Sequence, residues 1–214
     1  MVIESETDRS VPSLFEENRQ VNLKETIVHE SMKLFSLNGF LSTSIQDILS
    51  AANTSKGVFY NHFSSKEDIF FQVLDEGRKI WRKKNLFGID EISEPVDKII
   101  QLLENYKSRY LLDAENFPGG CIFIMFAVEL GDARPHLAGE VQKGFTGLKA
   151  MLKRILDNGH SSAAVYKGIH TDTITEIIFN GMLGASVSYS VDRSRNALDK
   201  SINALIDYLK KLKK

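Results

Sequence analysis

Six residues within eight positions carry the side chains best suited to chemistry in this 214-residue chain: Ser55, Lys56, Gly57, Tyr60, Asn61 and His62. Hydroxyls, an amide, a cation and an imidazole supply donors and acceptors, and the glycine lets backbone come close to a partner's surface. Nothing in this set is arranged to make or break bonds. The five histidines, His29, His62, His136, His160 and His170, lack the paired spacing of a zinc hydrolase, and no phosphate-cradling glycine loop is present. One cysteine, Cys121, gives neither an internal disulfide nor a metal framework. The expectation is therefore no catalytic residue, no metal and no cofactor. The chemistry is recognition.

Charge restricts what can be recognised. The net charge of -1 argues against a protein that coats nucleic acid by neutralising many phosphates. Any contact with DNA must be local and geometric. With 43% apolar and 26% charged residues, the chain lies in the ordinary globular range. The lone cysteine suits a reducing compartment. The N-terminal MVIESETDRSVPS has neither the basic start nor the apolar run of a secretion signal. The longest apolar run, Cys121 to Val128, has eight residues, where a bilayer needs roughly twenty. A soluble, cytoplasmic protein without membrane contact is expected.

The elements that must hold the polar cluster read as helices. Only four prolines occur, Pro12, Pro95, Pro118 and Pro135, with long stretches free of that helix breaker between them. Ile27, Ser31, Leu34 and Phe35 share one face, and Asn38-Gly39 ends that helix before Phe40 packs back. Thr43-Ser44-Ile45-Gln46 fits a capping box opening a second helix, with Ile45, Ile48, Leu49 and Ala52 on its apolar side. Ala51-Ala52 offers small residues where two helices touch. Asn53 accepts a left-handed turn. A third helix runs from about Ser55 to Phe63 with Val58 and Phe59 inward. Ser64-Ser65-Lys66-Glu67 reads as a further capping box, starting a long helix toward Lys84. Further helices are expected over roughly 95–113, 120–131, 135–157, 171–191 and 195–213. Two short helices joined by a tight turn and braced by a preceding helix make a helix-turn-helix, and hydroxyls at three helix starts (Thr43, Ser55, Ser65) would converge on anions.

The run Ser42-Thr43-Ser44-Ile45-Gln46-Asp47-Ile48 through Ser55-Lys56-Gly57-Val58-Phe59-Tyr60-Asn61-His62-Phe63-Ser64-Ser65-Lys66-Glu67, with Asn38-Gly39-Phe40 upstream, resembles the DNA-binding domain of the TetR (tetracycline-repressor-like) regulators. The resemblance covers roughly residues 23 to 70. One departure is Asn53-Thr54, where the family usually has glycine then valine; asparagine can take the glycine's conformation. The resemblance implies that Lys56, Tyr60 and Asn61 face the major groove and that Gln46 reads a base. It also implies that Thr43, Ser55, His62 and Lys66 hold phosphates, with Gly57 allowing close approach to the groove wall.

The C-terminal half supplies a seam and a soft interior. Leu198, Ile202, Leu205, Leu209 and Leu212 step by four and three along a terminal helix. On the helix before it, Ile177, Gly181, Gly184 and Ser188 form a small-residue stripe. Residues Ile177, Gly181, Gly184, Ser188, Ile202, Leu205 and Leu209 are thus expected at a homodimer interface, although the same residues could simply finish a monomer core. Trp81, Tyr106, Tyr110, Phe123, Met125, Phe126, Phe145, Phe179 and Met182 could line an effector pocket between helices or fill an ordinary core. Cys121, placed at a helix start by Gly119-Gly120, could be activated by the helix dipole. The run Gly120-Cys121, followed by an apolar helix and Glu129, also resembles a TetR branch that includes sensors of reactive electrophiles, which implies a reactive role for Cys121. The opposite reading is a buried, inert thiol.

The expected fold is all-α, with a flexible tail over 1–20, a helix-turn-helix domain over 21–68 and an effector-binding and dimerisation domain over 69–214. The expected function is a ligand-responsive transcriptional regulator, a repressor by the family's habit, binding a palindromic double-stranded operator as a homodimer and released by a small molecule or electrophile. The rivals are an enzyme and a helical protein-binding adaptor.

Overall fold

The computed structural model describes the backbone of residues 14–161 and 170–213, and side chains over 22–158 and 170–213. Among the described residues there are helices and no β-strand: α1 (Leu14–Asn38), α2 (Ile45–Ala51), α3 (Lys56–His62), α4 (Lys66–Asn85), α5 (Pro95–Asn105) continuing into a π-helical segment (Tyr106–Leu111), α6 (Ile122–Leu130), α7 (Pro135–Ser161), α8 (Thr171–Asp192) and α9 (Arg195–Leu212).

The first three helices and the start of α4 close around Ile27, Phe35, Phe40, Ile48, Leu49, Phe59, Phe63, Ile69 and Phe70, all buried. Phe40 meets Phe35 and Phe70 edge-on, each at 5.4 Å between centroids, and such pairs add specific geometry to apolar burial. The tail expected over 1–20 is partly helix, since α1 begins at Leu14; residues 1–13 lie outside the described residues. The caps differ from expectation by one residue each. α2 is capped by Ser44 with Asp47, not by Thr43 with Gln46. The Asp47 carboxylate accepts the Ser44 N–H and hydroxyl, each at 2.7 Å, and these bonds hold its pKa below the usual range. An ionised acceptor makes the stronger bond, which is why aspartate prevails over the neighbouring glutamine. At α4, Ser65 caps the helix and accepts the Asp68 N–H, while Asp68 takes the Ser64 N–H.

Helices α5 to α9 form the larger bundle. α7 runs to Ser161, through the Asn158-Gly159 pair expected to end it. Helix α5 widens into π geometry at Tyr106, a local departure that often marks functional positions. Antiparallel α8 and α9 pack closely because Gly181 admits Leu205. A Cβ built on Gly181 would lie 2.5 Å from a Leu205 methyl.

α4 belongs to both units. Its first turns carry Ile69 and Phe70 into the N-terminal core, and its later turns reach the bundle. The boundary expected at residues 68 and 69 therefore falls inside one continuous helix.

Candidate functional site

The turn between α2 and α3 is made by Asn53, whose φ of 47° is left-handed. Ala52 is buried at the crossing, whereas Ala51 faces solvent, so only one of the two alanines serves the close approach. Ser55 caps α3 by accepting the Val58 N–H at 3.3 Å. Phe59 and Phe63 anchor the helix inward, 5.3 Å apart. The opposite side is left open. Lys56, Gly57, Tyr60 and Asn61 are exposed, and His62 is half-buried beside Phe63. Tyr60 stands edge-on to Phe59 with 46% of its surface exposed, and the Lys56 ammonium lies 5.9 Å from its ring. Gln46, Ser55 and Lys56 come together around a shallow concavity of about 310 Å³ between the two helices. A short convex helix presenting an amide, a phenol and a cation can enter a major groove and contact base edges.

Two residues expected on this surface are not there. Thr43 is 1% exposed, and its hydroxyl donates to the Gly39 carbonyl at 2.7 Å, closing the turn after α1. Lys66 turns inward. Its ammonium donates to the carbonyls of Phe40 at 2.8 Å, Thr43 at 2.9 Å and Leu41 at 3.4 Å, and lies 4.5 Å from the Phe40 ring. Burial holds its pKa below the ordinary lysine range, with Glu129 pulling upward and Arg134 downward. A lysine whose three donors are spent on carbonyls is a clamp, and it has no donor left for a phosphate.

The same turn is gripped from the bundle. Glu129, in the last turn of α6, accepts the Phe40 N–H through Oε2 and the Leu41 N–H through Oε1, both at 2.7 Å. Gly39 makes this possible: its φ is +82°, and a Cβ there would lie 2.6 Å from Oε1. Three residues earlier on α6, Phe126 packs on Phe70 and Phe35 at 4.8 and 6.0 Å. Two further links tie the units together. Gly119 donates its N–H to the Ser36 hydroxyl, and Glu67 at the start of α4 meets Arg134 and His136.

A cavity of about 490 Å³ opens between α4, α6, α7 and α8. It is lined by seven of the ten residues proposed from sequence: Trp81, Tyr106, Cys121, Phe123, Phe145, Phe179 and Met182. Three are elsewhere. Phe126 is buried against the N-terminal unit, Tyr110 stacks behind Tyr106, and Met125, half-buried on α6, lies away from the lining. The sequence reading missed a charged mouth of Arg78, Arg82, Glu140 and Lys143. These polar side chains share helix faces with the soft ones and have no local sequence signal that sets them at a cavity.

Cys121 does begin α6, as expected, but its environment overrides the helix dipole. Burial pushes the thiol above its ordinary pKa, although the Ile124 N–H and Tyr110 hydroxyl favour the thiolate. Its Sγ lies 3.6 Å from the Tyr110 hydroxyl, and the Tyr106 hydroxyl bonds the buried Ser186. Activation by lowered pKa is therefore not realised.

The expected dimer seam on α9 is largely internal. Ile202 and Leu209 are 0% exposed within a single chain, and Leu205 fills the notch at Gly181. A heptad-like step also fits a helix packed on its own subunit, so periodicity could not separate the two. The exposed apolar stripe lies on α8: Ile177, Gly184 and Ser188, continuing to Val187 and Val191, the last 82% exposed.

Comparison with known proteins agrees with this geometry. Residues 27–73 match the family model described as "Bacterial regulatory proteins, tetR family". Residues 95–205, just over half of the chain, match "Tetracyclin repressor-like, C-terminal domain". The chain is 24% identical over 189 residues to the HTH-type transcriptional repressor DhaR of Mycobacterium sp. (strain GP1), covering 87% of this chain and 92% of DhaR. A TetR transcriptional regulator from Chloroflexus aurantiacus J-10-FL superposes with a TM-score of 0.82 at 24% identity, over 92% of this chain and 98% of that one. A cysteine mutant of CifR bound to 26-bp operator DNA superposes with a TM-score of 0.76 at 16% identity, over 86% and 94%. These structural likenesses establish the fold. No described helix is long and apolar enough to cross a membrane.

Proposed function

The chain belongs to the TetR family of bacterial transcriptional regulators, and from that membership we propose a specific division of labour among its residues. Lys56, Tyr60 and Asn61 on α3 read base edges in the major groove, helped by Gln46 from α2. Ser55, Gly57 and His62 position the backbone of the duplex. The chain acts in the cytoplasm as a homodimer through the exposed stripe on α8, so that two copies of α3 read an inverted repeat. Repression is the regulatory sense proposed, in line with DhaR, which is a repressor by name.

The observation that carries this reading is the open polar face of α3, set on a core that leaves it no intramolecular task. The cavity is the proposed effector site. Two elements connect it to the DNA face. α4 carries Trp81 at the cavity and Phe70 in the N-terminal core. α6 carries Phe123 at the cavity and Glu129 on the Phe40 turn. A ligand that fits only one arrangement of α4 and α6 shifts the spacing of the two recognition helices by its differential affinity for that arrangement. The test is selection of duplexes from a random pool. Enrichment of an inverted repeat supports the reading, and failure to enrich any sequence at low salt refutes it in favour of a protein-binding adaptor.

A further inference from the structure

We propose that the cavity takes an amphiphilic organic anion, with an aliphatic or aromatic body inside and a carboxylate or similar acidic group held at the mouth. This rests on the reading of the cavity as an effector site.

The interior offers no charged group to a ligand. Its walls are Leu74, Trp81, Phe145, Leu148, Phe179 and Met182, with other apolar side chains. The inner polar groups are already engaged: Tyr106 bonds Ser186, and Cys121 meets the Tyr110 hydroxyl. A charged head sunk to that depth would lose water and find no counter-charge. The buried portion of a ligand is the apolar body.

The mouth is different. Arg78, Arg82 and Lys143 stand against a single carboxylate, Glu140. That carboxylate is already neutralised, since Lys143 lies 2.5 Å from Oε1 and Arg78 3.9 Å from Oε2. Arg78 is further fixed by donating to the Glu140 carbonyl at 2.6 Å. The Arg82 side chain makes no hydrogen bond, ion pair or ring contact with any described residue. A guanidinium with all its donors free, at the rim of an apolar cavity with excess positive charge, selects an anionic head group. A cationic ligand would be repelled, and a neutral one would leave that charge unused.

The mouth is also held open. Gly144 and Gly147 line it from the middle of α7, and a Cβ at either would meet nothing within 4 Å. Glycine inside a helix is destabilising, so the space is kept at a cost to the helix.

Trp81 is the only tryptophan of the chain and lines the cavity, so its emission reports occupancy. The experiment titrates the full-length protein with decanoate, decan-1-ol and decylammonium, three probes with one tail and different heads, following Trp81 fluorescence and melting temperature. Decanoate is expected to bind about tenfold more tightly than the other two. Arg82→Gln should reduce decanoate to the level of the alcohol. Gly147→Phe, at a lining position whose added Cβ would meet nothing within 4 Å, should abolish binding of all three. Equal or tighter binding of the alcohol or the ammonium, lost in Gly147→Phe, would overturn the anion proposal and leave the cavity as a ligand site. No response to any probe, or binding indifferent to Gly147→Phe, would overturn both.

Discussion

Glu129 and Phe40, 89 residues apart in sequence, are joined by a 2.7 Å hydrogen bond from the Phe40 N–H to a carboxylate oxygen, and the second oxygen takes the Leu41 N–H. The bond crosses from the bundle to the turn that presents α2. Phe123, which lines the cavity, precedes Glu129 on the same helix, and under the proposed mechanism a shift of α6 would reach that turn through this contact. Glu129→Ala removes two charge-assisted bonds and should cost about 1–3 kcal/mol of stability. Denaturant unfolding measures this, and a change below a few tenths of a kcal/mol would show the clamp to be idle.

Lys66 should behave as a structural residue. Lys66→Met keeps the stem packed and strips donors from three carbonyls, for an expected loss of about 1–3 kcal/mol. If Lys66 held a phosphate, its removal would lower the salt dependence of DNA binding by about one unit of log–log slope. The slope of the folded variant is expected to be unchanged.

The α8 stripe and the α9 seam make opposite predictions. Val191→Asp places a charge on a residue that is 82% exposed in the single chain, so it should leave each subunit folded and split the dimer. Leu209→Asp buries an unpaired charge and should unfold the chain. Sedimentation with circular dichroism separates the cases. A Val191→Asp protein that remains dimeric would move the interface elsewhere.

Alkaline pH should destabilise the fold through Cys121, Tyr106 and Tyr110. Burial is the first cause of all three upward shifts, from ordinary values of 9.0 for the thiol and 10.0 for the phenols. Above those values the unfolded chain releases protons that the folded chain retains. The unfolded state then binds fewer protons, so stability falls as pH rises. The contribution is complete below about pH 9 and is lost as pH climbs through the folded-state values. Lys66, shifted downward, acts in the opposite sense and is common to wild type and variant. Urea midpoints at pH 7 and pH 10 should therefore drop less in Cys121→Ser than in wild type, and an equal drop would contradict the assignment.

The helices were legible because their signals are local. Asn53 announced its positive φ, Ser55 its cap, and the 3.6-residue period gave most helices within a few residues. The open polar face of α3 was legible for the same reason, since one short helix carries it. Thr43 and Lys66 were misplaced because exposure is decided by long-range partners, the Gly39 carbonyl for one and three turn carbonyls for the other. Glu129 had no local signature beyond a lone charge ending an apolar helix; its partners are 88 and 89 positions away. The α9 leucines satisfied a period that intramolecular and intermolecular packing share.

The most direct test is fluorescence anisotropy of a selected inverted-repeat duplex titrated with wild type and with the triple variant Lys56→Ala, Tyr60→Ala, Asn61→Ala. The account predicts a loss of at least about a hundredfold in specific affinity, from contacts each giving about 1–3 kcal/mol of discrimination, with melting and dimerisation close to wild type. A folded, dimeric triple variant that bound the duplex as tightly as wild type would contradict it.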